Sequence, residues 1–73
     1  MYEEIARLIR QAERDGNKIA MFHYQVLINA NELADVDAHD FCHRVGMKDS
    51  FATEFRKMLA LAKLMKQLGK SIK

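Results

Sequence analysis

Proline is absent from this chain of 73 residues, and glycine occurs only three times. Because both residues interrupt helices, their scarcity favours helical structure throughout the chain. A single cysteine excludes an internal disulfide and indicates a reducing compartment. The sequence also lacks an apolar run of ~18 residues and a signal-peptide pattern. We therefore expect a soluble, cytoplasmic protein that is not embedded in a membrane.

The length and the charge distribution bound what the chain can be. We expect residues 1–73 to form a single helical domain, and a domain this small buries only ~60% of its extended surface. Residues 1–37 carry four basic and seven acidic side chains, whereas residues 38–73 carry eight basic and three acidic ones. This asymmetry suggests an anionic partner for the basic half, but a lysine-rich solvated surface explains it equally well.

Apolar residues at helical spacing predict the first two helices. The first covers residues 2–15 and ends at Gly16. The second begins near Lys18 with Asn17 as its N-cap, and apolar residues on nearly all of its sides predict a buried, central helix. Residues 22–28 are also rich in β-branched and aromatic side chains, but no second strand is available to pair with them.

Two further helices follow a connector at residues 31–36. Asp37 is a good N-cap for a short helix over residues 38–45, and a longer helix follows after a turn. The sequence therefore predicts an all-α fold, a compact bundle of four helices.

The last helix is predicted to cover about residues 51–68, with Asp49 or Ser50 as its N-cap and Gly69 at its end. Residues 70–73 are expected to fray. The apolar residues of the last helix form two stripes. One consists of Phe55, Met58, Leu59, Ala62 and Met65, and the other of Leu61, Leu64 and Leu68. One small core does not need both stripes, so the surplus either packs on the first helix or forms a homodimer seam. The first helix is an alternative location for such a seam.

The residues around Gly46 form the most specific pattern in the chain. Gly46 can adopt the left-handed conformation that ends a helix, and the small Cys42 lies where two helices would cross. The pattern consists of Phe41, Cys42, Val45, Gly46, Met47, Ala52 and Phe55. Over about residues 38–57 it resembles the helix-turn-helix of bacterial DNA-binding proteins.

This resemblance implies double-stranded DNA as the partner, transcriptional regulation as the function, and a homodimer as the assembly. In this family, the N-terminal end of the second helix enters the major groove. The DNA-binding residues it implies here are Arg44, Lys48, Ser50, Thr53, Arg56 and Lys57. Asp49 and Glu54 depart from that pattern because they place negative charge on the same face, and the large Phe51 is expected near its exposed side.

The alternative function is a protein-interaction module of the same fold, whose Met- and Leu-rich helix faces bind a partner helix. The acidic residues on the presumed DNA-binding face favour this alternative, and the charge asymmetry favours DNA.

The chain contains one further group of side chains with the chemistry of metal ligands. His39, Cys42 and His43 have a spacing that zinc ligands can adopt, but Cys42 is already explained as a buried residue at the helix crossing. His23 or Tyr24 is expected to be a hydrogen-bonded core residue. We therefore predict no metal, no cofactor, no small-molecule substrate and no enzymatic activity.

Overall fold

The computed structural model describes residues 1–69, and this part of the chain contains helices and turns but no strand. Its elements are α1 (Tyr2–Arg14), α2 (Lys18–Ile28), α3 (Ala30–Leu33), α4 (Ala38–Arg44), a 3-10 turn (Asp49–Phe51) and α5 (Ala52–Gln67). The predicted all-α fold is confirmed, and residues 22–28 lie within α2. The fraying predicted for residues 70–73 concerns residues outside the described part of the chain.

The predicted bundle of four helices is confirmed for the helices of seven residues or more, and the expected connector begins with an additional short helix, α3. The backbone N–H of Leu33 donates to the carbonyl of Asn29 over 3.0 Å, and the Leu33 side chain is fully buried. The Asn29 amide donates to the carbonyl of Gln25 over 2.8 Å, at the end of α2. A helix of a single turn is too short to show a helical period, so the sequence carries no periodic signal for it.

Some of the predicted helix caps and helix ends match the structure, and others do not. Asp37 caps α4 as predicted, since its carboxylate accepts from the backbone N–H of Asp40 over 2.9 Å. Gly16 ends α1 with a φ of 78°. Asn17 occupies the N-cap position of α2, but its side chain makes no capping bond. Its backbone N–H instead donates to the carbonyl of Ala12 over 2.8 Å, which closes the end of α1.

Neither predicted N-cap of α5 makes a capping bond. The 3-10 turn that contains Asp49 and Ser50 leads directly into the helix, and Phe51 precedes its first residue. The turn already satisfies one backbone N–H, because that of Phe51 donates to the carbonyl of Lys48 over 2.9 Å. A gradual entry through a 3-10 turn therefore replaces the expected side-chain cap.

Aromatic rings form the centre of the core. Phe41 is fully buried, and its ring centre lies 4.8 Å from that of Phe55, 5.7 Å from that of Tyr2 and 6.1 Å from that of Phe22. The ring of Phe51, expected near the exposed side, is half-buried and meets that of Phe22 edge to face at 5.7 Å. These contacts join α1, α2, α4 and α5 around one residue of α4.

Helix α2 is less buried than predicted. Helices α1 and α5 both pack against α2. They leave part of its surface open, where Ile19 is 50% and Tyr24 45% exposed. The sequence predicts that His23 or Tyr24 is a hydrogen-bonded core residue. Of the two, His23 is half-buried and hydrogen-bonded. The apolar character of α2 therefore exceeds what its neighbours cover.

Helix α5 also has more apolar surface than the core uses. Ala52 and Phe55 are buried near its start, whereas Leu61, Leu64 and Leu68 are 39%, 48% and 64% exposed. No Cα atom of α1 lies within 8 Å of a Cα atom of α5. The alternative in which the surplus packs on the first helix is therefore wrong.

Candidate nucleic-acid interface

The turn between α4 and α5 is built on Gly46. Its φ is 81°, and the backbone N–H of Met47 donates to the carbonyl of Cys42 over 2.8 Å. The N–H of Gly46 donates to the carbonyl of His43 over 3.3 Å. These two bonds and the buried Met47 side chain define a Schellman end. The predicted helix stop at Gly46 is confirmed.

The corner between the two helices is closely packed. Cys42 and Ala52 are 0% and 2% exposed, and both are small enough for α4 and α5 to approach each other. Burial, and secondarily the charge of Asp49, raises the pKa of the Cys42 thiol. A buried thiol with a raised pKa is a poor nucleophile, so Cys42 acts as a packing residue.

All six residues that the sequence predicts as DNA contacts are exposed. Lys48, Ser50 and Thr53 lie in the turn and the first helical turn of α5, followed by Arg56 and Lys57. Arg44 lies across the turn at the end of α4. The turn thus brings the predicted residues to the junction of two helices, with hydroxyl and cationic groups accessible to solvent.

Two of the six side chains already have partners within the protein. The Nε atom of Arg44 lies 3.0 Å from a carboxylate oxygen of Asp40, and its guanidinium carbon lies 5.3 Å from the ring centre of Tyr2. The Nζ atom of Lys57 lies 3.4 Å from a carboxylate oxygen of Glu54. Within residues 1–69, Lys48 and Arg56 form no ion pair, as judged by a 4.0 Å limit.

Both acidic residues on this face lie beside a histidine of another helix. The Nε2 atom of His23 in α2 donates to Glu54 Oε1 over 3.0 Å, and Nδ1 of His39 in α4 lies 3.4 Å from Asp49 Oδ1. The hydrogen bond from His23, followed by the charge of Lys57, lowers the pKa of the Glu54 carboxyl. Glu54 is therefore ionised near neutral pH and directed towards α2.

These two histidines were not recognised as part of the site from the sequence. His23 is 31 residues from Glu54, and no periodic or spacing signal links residues so far apart in the chain. Their effect is to place an imidazole ring beside each carboxylate of this face.

The structure does not assemble the metal-ligand pattern of the sequence. Among the described residues, no three histidine, cysteine or acidic side chains lie close enough to hold a metal ion. Cys42 points into the core, whereas His39 and His43 are exposed. Within residues 1–69, no helix combines the length and the apolar character needed to cross a bilayer.

Comparison with known proteins identifies the chain at the level of a family. No curated protein and no solved structure matches it. The model of a family described as an HTH-like domain matches residues 1–68, which include every helix described above. The protein therefore belongs to the family of HTH-like domains.

Proposed function

We propose that the protein binds duplex DNA through the turn after α4 and the first turns of α5, and that it acts as a transcriptional regulator without catalytic activity. The observation that carries this proposal is the group of exposed polar side chains at the N-terminal end of α5. In a helix-turn-helix, this end of the second helix enters the major groove. Lys48, Ser50, Thr53 and Arg56 are exposed and lie in the turn or in the first turns of α5, which supports this proposal.

The chemistry of these groups fits phosphate better than base edges. Lys48 and Arg56 form no ion pair with another residue of the described range 1–69, and Ser50 and Thr53 offer hydroxyl donors. The exposed Lys57 can exchange its partner Glu54 for a phosphate, since an ion pair at the surface is weak. Contacts of this kind position a protein on DNA and make its affinity strongly dependent on salt.

Arg44 has a flanking role in this proposal. Its contacts with Asp40 and with the Tyr2 ring hold the guanidinium beside the turn. A side chain held in this way loses less conformational freedom when it meets a phosphate. We expect it to contact the DNA backbone outside the groove.

A second candidate function is a protein-interaction module of the same fold. The observation that favours it is the exposure of Leu61 and Leu64 on α5 and of Leu68 directly after its end. These leucines lie one to four turns beyond the proposed DNA contacts, so an apolar surface and a DNA-binding face can coexist on one helix. A homodimer would use both the apolar surface and the DNA-binding face, because dimeric helix-turn-helix proteins bind two half-sites about 34 Å apart.

Charge reversal at Lys48 and Lys57 tests the proposed face. We expect Lys48→Glu with Lys57→Glu to weaken binding to a 20-bp duplex at least ~100-fold at low salt, because two phosphate contacts become repulsive. Fluorescence anisotropy of a labelled duplex measures the affinity. Both side chains are exposed, so the far-UV circular dichroism and the melting temperature should stay close to those of the unaltered protein.

The matched control makes the same charge change at the other end of the same helix. Lys63→Glu with Lys66→Glu alters two exposed lysines beyond the proposed contacts, and we expect a loss of less than ~10-fold. Equal losses of affinity in the two double variants would show that binding depends only on the net charge of the protein, and would contradict the proposed face.

A further inference from the structure

A groove between α1 and α4 is lined by three arginines that come from both helices. Arg7 and Arg10 lie three residues apart on one side of α1, and Arg44 lies at the end of α4. All three side chains are exposed, and the groove is open to solvent with a volume of about 610 Å³. An anionic group that enters it can therefore meet guanidinium groups from two helices.

Tyr2 joins the two walls of this groove. Its ring meets the ring of Phe41 in α4 edge to face, with the ring centres 5.7 Å apart. The guanidinium carbon of Arg44 lies 5.3 Å from the centre of the same tyrosine ring. The start of α1 is thus packed on α4, and this contact places Arg44 opposite the arginines of α1.

The two arginines of α1 differ in their partners. Arg10 forms no ion pair within 4.0 Å among the described residues 1–69. The Nη2 atom of Arg7 lies 2.7 Å from Oε2 of Glu4, and both side chains are more than half exposed. Because an exposed ion pair contributes little, a phosphate can replace Glu4 as the partner of Arg7. Glu3 also lines the groove, so its cationic part lies further along α1, towards Arg10.

We propose that this groove binds phosphate groups of the DNA backbone beside the major groove that α5 enters, an inference that rests on the proposed function. Arg44 links the two surfaces, because it lines the groove and also flanks the turn before α5. The first helix of a helix-turn-helix crosses the DNA backbone, and here that helix is α4, with α1 packed against it. A DNA strand that passes the end of α4 therefore meets Arg7 and Arg10 next.

The chemistry of the groove suits a phosphate chain. A guanidinium group donates two parallel hydrogen bonds to the oxygens of one phosphate, so arginines in a row can bind successive phosphates. Each such contact releases counterions and adds about 0.9 to the salt dependence of binding. Arg7 and Arg10 thus add two contacts, independent of base sequence, to those of the DNA-binding face.

Removal of the two charges on α1 tests the groove. Arg7→Gln with Arg10→Gln should weaken binding to a 20-bp duplex at least ~10-fold at about 100 mM salt. The slope of log affinity against log salt should become shallower by about 2, and the loss should be the same for two duplexes of unrelated sequence. Fluorescence anisotropy between 50 and 200 mM salt measures these quantities, and far-UV circular dichroism checks that the variant is folded.

The matched control removes two exposed cations that do not line the groove. Arg14→Gln with Lys66→Gln makes the same change in net charge, and we expect a loss of less than ~3-fold with a nearly unchanged salt slope. Equal losses of affinity in the two double variants would overturn the groove as a phosphate site.

Glu4→Gln should act in the opposite direction. This change frees Arg7 from its carboxylate partner, so we expect binding to the 20-bp duplex to tighten about 3-fold. The matched control is Glu13→Gln, which removes the same charge from α1 beside Lys18, outside the groove, and should change the affinity less than ~1.5-fold. Equal tightening in the two variants would show an effect of net charge alone and would contradict the groove.

The outcomes separate this inference from DNA binding itself. A protein that binds duplex but keeps its affinity and salt slope without Arg7 and Arg10 overturns the groove and leaves the proposed function standing. A protein that binds no duplex at 50 mM salt contradicts both. In NMR spectra of the full chain, the Nε–Hε signals of Arg7 and Arg10 should shift on addition of duplex. Shifts with inorganic phosphate but not with duplex would assign the groove to a free anion and overturn the inference.

Discussion

Phe41→Ala should remove about half of the stability of the domain and shift its urea midpoint to a markedly lower concentration. The ring is fully buried and packs against the rings of Tyr2, Phe22 and Phe55, which come from three other helices. Removing a buried phenylalanine side chain costs about 3–5 kcal/mol, whereas a domain of this length has roughly 4–10 kcal/mol of stability in total. Far-UV circular dichroism during urea unfolding measures the loss.

Phe51→Ala is the matched control for this substitution. Phe51 is half-buried at the edge of the core, where its ring meets that of Phe22. We expect it to cost about 1–2 kcal/mol, since part of the ring is already in water and the neighbours can close the gap. Equal urea midpoints for the two variants would contradict the central position of Phe41.

Gly46→Val should lower the melting temperature by about 10 °C or more. The backbone of Gly46 has a φ of 81°, a conformation that costs other residues about 1–2 kcal/mol and β-branched residues more. Each kcal/mol lowers the melting temperature of a domain this size by roughly 4–8 °C. Thermal unfolding followed by circular dichroism measures the shift.

Steric crowding is not the cause of the lower melting temperature expected for Gly46→Val. A Cβ atom added at Gly46 meets no atom within 4 Å, so the penalty comes from the backbone conformation. We therefore expect Gly46→Asn to be the mildest substitution, because asparagine tolerates the left-handed region, with alanine intermediate and valine the most severe. An unchanged melting temperature for the valine variant would contradict the helix end at this position.

Local signals predicted the parts of the fold that depend on neighbouring residues. The cap at Asp37, the stop at Gly46 and the burial of Cys42 each follow from the chemistry of one residue and its spacing from the next. Helix α3 has too few residues to show a period. The side chain of Asn17 makes no capping bond, and its backbone N–H closes the preceding helix.

The exposure of the proposed contact residues was predictable from the sequence, but the contacts among the side chains on this face were not. The exposure of Lys48 and Thr53 follows from their place in the turn and on the outer side of α5. The bond between His23 and Glu54 requires knowing that α2 packs beside α5, which no local pattern indicates. The surplus apolar surface of α5 was likewise evident from the sequence, whereas its exposure follows from α1 packing elsewhere.

Titration of a labelled 20-bp duplex with the unaltered protein, repeated at 50 and 200 mM salt, tests DNA binding most directly. Four phosphate contacts, of the kind offered by Lys48, Arg56, Lys57 and Arg44, predict measurable affinity at 50 mM salt and a roughly 100-fold loss at 200 mM. The absence of binding at 50 mM salt, or an affinity that salt does not change, would contradict the proposed DNA-binding function.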